Sequence, residues 1–393
     1  MELRRLTVND YDALLELLDS TFAKHYGRPM DFQCEQPKMW IRDEEHMRKH
    51  FGVFEDDKLV SVTGVYPLEV IIGNTPLLFA TTGNVATHPE YTGRGYFSTT
   101  FDEAMRELER IGADAGRLGG ARQRYSRYGY EPAAISYKFT ISEANRKKYF
   151  GGAGENISFK QIMPEDTDIL RFCHELYERS RIFVRRSHDN GERDMYLAMC
   201  TKHSTPYLAM RGDEPVGYLC AYADNQFVGM SKDGKNISEL RAKDNESLVE
   251  MICAWQLHVG GNITFTLPPH EPELLRIFAD AAQAFELCSP SRFKVINFKG
   301  LADALMKLKA SYEALAEGEY VLEIEEYGKV MLYSRGGKVG AKMTDAPADM
   351  TLDMARATRL LFGPLAPSVT ADVPSILKDW LPLPLSWDTL DYV

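Results

Sequence analysis

The stretch that decides the reading of this chain is Val85–Phe101, VATHPEYTGRGYFSTTF. It joins two patterns. Before it, NTPLLFATTGNVATHP (Asn74–Pro89) reads as an apolar strand that ends where the Pro89 ring stops further pairing. After it, Phe97, Phe101, Met105 and Leu108 recur every three to four residues, which predicts an amphipathic helix closed by Gly112. Between them, Gly93 and Gly95 flank Arg94. One cause for such a pair is a tight turn. The other is a backbone whose N–H groups must come closer to a phosphate than side chains would permit. A dinucleotide fingerprint would need GxGxxG with a later acid, and a P-loop would need GKS or GKT; the stretch has neither.

Working outward, Leu3–Val8 alternates like a strand, and Asn9 or Asp10 can cap the helix that follows. FGVFEDDKLVSVTGVYPLEVIIG (Phe51–Gly73) reads as strand, Asp-Asp turn and longer strand. A short strand near Asp114–Leu118, a helix around Tyr125 and a last strand in AISYKFTI (Ala134–Ile141) complete a first mixed α/β unit. RKKYFGGAGEN (Arg146–Asn156) reads as a linker. Beyond it the opening theme returns in FKQIMPEDTDILRFCHELYERS and PYLAMRGDEPVGYLCAYADN, so the second unit reads as a diverged copy of the first. Where the copy should hold its glycine turn, it reads ISELRAKDNESLVEMICAW (Ile237–Trp255), without glycine. Such a copy keeps the fold and loses the phosphate site. A third unit, from near Phe293, shows a helix, short strands with a Gly-Gly hairpin turn, and a second helix closed by Gly363. The expected division is 1–145, 155–290 and 291–393, in an α/β (α+β) chain. The tail LPLPLSWDTLDYV is too apolar for a frayed end and is expected to dock.

Composition narrows the function. The chain has 393 residues, 44% hydrophobic and 26% charged, enough for two or three ordinary globular domains. A formal charge of −11 argues against nucleic acid as a partner and weakly favours a cationic small substrate. Six scattered cysteines without a CxxC pair suit reduced, buried thiols, and neither a zinc framework nor a disulfide scaffold. Neither a signal peptide nor a membrane span is legible, so the expectation is a soluble, cytoplasmic protein without a metal.

The glycine turn resembles motif A of the Gcn5-related N-acetyltransferases, R/Q-x-x-G-x-G/A opening a helix after a strand. Thr92 stands for the R/Q, Gly95 matches the first glycine, and Phe97 stands for the last small residue. RYSRYGYEPAA (Arg124–Ala134), one strand later, resembles motif B. Its form, Y-x-R-[FY]-G-Y-x-P-A, is similar to the enhanced-intracellular-survival family, in which two tandem acetyltransferase-like domains, the second degenerate, precede a sterol-carrier-protein-like domain.

That resemblance implies acetyl-CoA as co-substrate and a small amine as acceptor, aminoglycoside-like polyamines included. It places the pantetheine arm along Val85, Ala86 and Thr87, and the phosphates at Gly93, Arg94, Gly95, Tyr96, Phe97 and Ser98. Tyr125 takes the general-acid position. The carboxylate of Val393, on a tail folded back into the first unit, helps remove the amine proton, with Asp391 as a nearby competitor. Asp31, Glu35 and Trp40, in GRPMDFQCEQPKMW, are expected to line the acceptor site, and the family forms homo-oligomers. Phe97 must turn into the core if the cofactor is to fit. Two other readings stay open: a binding protein that keeps the fold without turnover, and lipid binding by the third unit. His46 and His50 are near metal-ligand spacing, but the HExxH order is absent and a solvated helical face explains them.

Overall fold

A computed structural model describes residues 1–186, 191–222 and 233–391. The first strands are β1 (Glu2–Arg5), β2 (His50–Glu55), β3 (Lys58–Ile72), β4 (Thr75–Thr87), β5 (Ala115–Leu118) and β6 (Glu131–Ala133). Then come β7 (Ser136–Ile141), β8 (Ile157–Gln161), β9 (Ile182–Val184), β10 (Ser204–Arg211) and β11 (Glu214–Tyr222). They are followed by β12 (Ile237–Ala242), β13 (Ile263–Leu267), β14 (Ala284–Cys288) and β15 (Ser291–Val295).

The first sheet runs β1-β2-β3-β4-β5-β15-β6, with β9 lengthening the far end of β3. The second runs β8-β10-β11-β12, joined by a parallel bridge between Asn236 and Thr264 to β13-β7-β14. The two sheets correspond strand for strand, each antiparallel except at its fourth-to-fifth junction. The sixth place is exchanged. β7, which the sequence suggested would close the first unit, lies between β13 and β14, and β15 crosses back to lie between β5 and β6. Alternation marks β7 as a strand but is blind to which sheet receives it.

Two other expectations change. Arg146–Phe150 is not linker but the end of helix Glu143–Phe150, started by the Ser142 cap and held where Arg146 Nε donates to Gln256 Oε1 at 2.7 Å. His50 is not on a helical face: helix Glu44–Met47 stops short of it, and His50 opens β2, 2% exposed.

The third unit starts with helix Phe298–Ala310, since Phe293 lies in β15. Its sheet, β18-β17-β16-β19, comprises β16 (Gly318–Ile324), β17 (Gly328–Arg335), β18 (Lys338–Met343) and β19 (Met350–Leu352). Helix Met354–Phe362 follows and covers the β6 edge of the first sheet, with Ala134 N donating to Phe362 O at 3.0 Å. One apolar core joins Phe79 and Phe293 of the first sheet to Phe298, Phe362, Trp380 and Trp387.

Candidate active site

In the first sheet β4 and β5 pair only through Phe79–Thr81 against Ala115–Arg117. Beyond that point β4 runs on to Thr87 beside β3 alone, and no described strand covers its other edge. A bulge causes the divergence. The β3–β4 register shifts between Val62 and Gly64, and Asn84 takes a left-handed φ of 51°. An extra residue on one strand bends it away from its neighbour. A buried polar chain supports the bulge: Asn84 Nδ2 donates to the Tyr66 hydroxyl at 2.6 Å, and that hydroxyl lies 2.6 Å from His50 Nε2. Burial pushes His50 down to about 4, so the imidazole is neutral near pH 7. Val85, Ala86 and Thr87 thus form the open edge of a wedge-shaped cleft.

Helix Tyr96–Arg110 begins at the mouth of that cleft. Gly93 and Gly95 both take left-handed φ values, 83° and 84°, and a Cβ on either would meet no atom within 4 Å. Conformation, not crowding, requires glycine here. Gly95 is the N-cap, no side chain caps the helix, and its first turn holds no acid. Its leading amides therefore keep the partial positive charge of a helix start.

The cations differ from expectation. Arg94, read as a mobile cation for phosphate, is paired with Glu55 at 2.9 Å and stacked over Tyr91. Tyr96 also donates to Glu55. Thr92 is tied to the preceding turn, donating to Pro89 O. The sequence reading missed Arg127, which donates to Ser98 Oγ at 3.1 Å and lies over the Phe97 ring. With Arg124, whose guanidinium also lies over the Phe97 ring, it brings positive charge to the first turn of the helix. Phe97 turns inward against Phe101 and Tyr125.

Tyr125 ends helix Arg122–Tyr125 and is 6% exposed, its ring 5.3 Å from Phe101. Gly120 clears space for it: an added Cβ would stand 3.0 Å from the ring edge. Burial raises the phenol, and the neighbouring Arg124 opposes that rise. Tyr130, in contrast, is fixed by its Thr82 bond at 2.9 Å and packs as core.

The expected acidic lining is not assembled. Asp31 is an exposed cap that accepts from Cys34 N. Glu35 is 1% exposed, but Arg28 at 3.6 Å answers its charge, and the His203 ring of the second unit lies 3.5 Å away. Trp40 packs edge-on against Tyr11 and Phe32. What gathers beside Glu35 is cationic: Lys202, Lys38 and the fully buried Arg117. Burial, aided by their mutual repulsion, lowers Lys38 to about 7 and Lys202 to about 8. A non-periodic segment gave no signal for Lys38.

The tail docks between the units. Trp387 stacks on Phe79, Lys38 Nζ donates to Leu390 O, and Asp391 accepts from Tyr177 and from Arg186 Nε, both at 2.8 Å. So engaged, Asp391 is a structural anchor rather than a base. Tyr392 and Val393 lie outside the described residues.

Residues 2–133 match the acetyltransferase (GNAT) domain family. No curated protein matches the sequence. Solved structures resemble the whole chain, including a GCN5-related N-acetyltransferase from Anabaena variabilis (TM-score 0.68, 15% identity, 100% of both chains covered). A GCN5-related N-acetyltransferase from Kribbella flavida gives 0.63 at 17% identity, covering 100% of this chain and 98% of its own. Eis1 from Mycobacterium abscessus gives 0.66 at 15%, covering 99% and 98%. At such identities the likeness is one of fold, and it extends well past the GNAT match. Among the described residues no helix is long and apolar enough to cross a membrane.

Proposed function

We propose that the chain is an acetyl-CoA-dependent N-acetyltransferase with its catalytic site in the GNAT unit. The observation that carries this reading is the open β4 edge leading to an uncapped helix mouth. Extended pantetheine can pair with Val85–Thr87, while diphosphate meets the amides of Tyr96–Ser98 and the Arg127 guanidinium. The neutral amine of the acceptor attacks the thioester carbonyl, the C–S bond breaks, and the departing thiolate takes the phenolic proton of Tyr125. Burial raises the Tyr125 phenol above its ordinary range, which keeps it protonated and able to donate to a departing thiolate. The proton lost by the nitrogen passes to a base on the tail side, the Val393 carboxylate being the assignment by resemblance.

The strand-for-strand match of the two sheets supports reading the second unit as a tandem acetyltransferase-like copy without turnover. The four-stranded sheet with its helices is consistent with a sterol-carrier-like third unit. An amine acceptor is the class the resemblance implies, and the cations around Lys38 weigh against the aminoglycoside-like polyamines it also implies. The test is calorimetry with acetyl-CoA, then thiol release across a panel of amines. Binding without release for every amine would leave a cofactor-binding protein instead.

A further inference from the structure

In the β4 bulge two residues, Asn84 and Val85, stand opposite Thr63 of β3, because Val62 pairs with Ala86 and Gly64 with Gly83. Val85 is also where the open edge begins. An extra residue interrupts the ladder, so strand pairing alone does not fix this corner. Side chains do, and their bonds are buried and run in two directions.

Behind the bulge, Asn84 Nδ2 donates to the Tyr66 hydroxyl at 2.6 Å, and that hydroxyl donates to His50 Nε2, also at 2.6 Å. The other ring nitrogen, Nδ1, faces Met47 O at 3.3 Å, so a neutral imidazole answers both sides of the ring. All three side chains are buried. Gly64 admits the arrangement, since a Cβ there would stand 2.5 Å from the Tyr66 hydroxyl oxygen. Toward the helix, Thr63 Oγ1 donates to Thr100 Oγ1 at 3.0 Å, and Thr100 donates to Phe97 O at 3.2 Å in the first turn. The bulge is thus tied to β2 on one side and to the helix mouth on the other. The second sheet has a corresponding cleft between β12 and β13, but Ser238 at its bulge bonds to Cys220 O at 3.0 Å and to Ser204 at 2.6 Å, within its own sheet.

Apolar groups of the same shape would cost a buried chain like this little stability. What the polar chain supplies is a single geometry, because its members are satisfied together only in this arrangement.

We propose that Asn84, Tyr66 and His50 are positioning residues for acetyl transfer, with Thr63 and Thr100 holding the same bulge against the helix mouth. They act through the backbone of Val85, which sets where the pantetheine arm lies and so how far the thioester sulfur stands from the Tyr125 phenol. The assignment rests on the reading of Val85–Thr87 as the pantetheine edge.

The experiment compares full-length variants by kcat, by KM for acetyl-CoA and by calorimetric affinity. Tyr66→Phe removes the central hydroxyl with little change of shape. Asn84→Gly removes the donor while leaving the left-handed backbone accessible. Each should lower kcat about tenfold, part of the roughly hundredfold that a misplacement of about 1 Å can cost, with acetyl-CoA affinity kept within about twofold. The double variant should fall no further than the slower single one, since both break one chain. Tyr130→Phe is the control. It removes another buried tyrosine hydroxyl, bonded to Thr82 of β4 at 2.9 Å, and should lose comparable stability in denaturant while keeping wild-type kcat. Unchanged kcat in Tyr66→Phe, beside an active wild type, overturns the positioning role and leaves the acetyltransferase reading in place. An equal loss of kcat in Tyr130→Phe, or additive losses in the double variant, also overturns it. A wild type that binds no acetyl-CoA overturns both.

Discussion

Two helices begin at corresponding places in two corresponding sheets, and their first turns have opposite chemistry. Helix Tyr96–Arg110 starts on Gly95 with no side-chain cap and no acid in its first turn. Helix Asn245–Val259 starts on Asp244, whose carboxylate takes the Ser247 amide, with Glu246 close behind. A helix start is stabilised by a negative charge from any source. The second unit supplies that charge itself and gains stability. The first leaves its amides unanswered, which is less stable alone and useful only if an anion arrives. The polar groups beneath the two clefts differ too: a neutral His50–Tyr66–Asn84 chain in the first, an ion-paired Arg186–Glu239–Tyr218 cluster in the second.

The largest expected effect removes what the first unit has and the second lacks. Tyr125→Phe should lower kcat by about 100-fold or more, in line with a lost general acid, while acetyl-CoA affinity measured by calorimetry stays within about twofold. An unchanged kcat would remove the acid role.

Next comes the pH dependence of the neutral chain. His50 falls from its ordinary 6.5 to about 4 in the fold. Between those values the unfolded chain binds a proton that the folded chain refuses. Stability should therefore drop as pH falls through this window, by about 3 kcal/mol at most. Denaturant titrations at pH 7 and pH 4 measure it, and His50→Gln should flatten the slope.

Transplanting the second cap onto the first helix sharpens the contrast further. Gly95→Asp places a carboxylate where diphosphate would sit, and aspartate tolerates a left-handed φ better than most residues. It should weaken acetyl-CoA about thirtyfold, roughly 2 kcal/mol. Full affinity in this variant would mean that the phosphates bind elsewhere. The smallest effect is the reverse change: Asp244→Ala should cost about 1 kcal/mol of stability and leave acetyl-CoA binding untouched.

Much of this was legible in the chain, for physical reasons that also mark where legibility ends. The strand–glycine–helix junction, the inward turn of Phe97 and the docked tail follow from local period and composition, because each is set within a few residues. The missing glycine in ISELRAKDNESLVEM signalled the closed second mouth, although not that Asp244 closes it. Pairings across long separations left no local trace. Arg94 was assigned to phosphate because Glu55 is distant in sequence. Arg127 stood in the quoted Y-x-R-[FY]-G form with no role attached until folding set it beside Ser98. Glu35 looked like an acidic lining because its partner His203 belongs to the other unit.

The exchange of β7 and β15 has a consequence for how the protein is made. With its sixth strand delivered only at Val295, the GNAT sheet must wait, incomplete between β5 and β6, while the whole second unit leaves the ribosome. Neither sheet can be cut out of the chain whole without tearing a strand from the other. Each unit holds a strand that completes its neighbour's sheet, so the two can reach their final form only together.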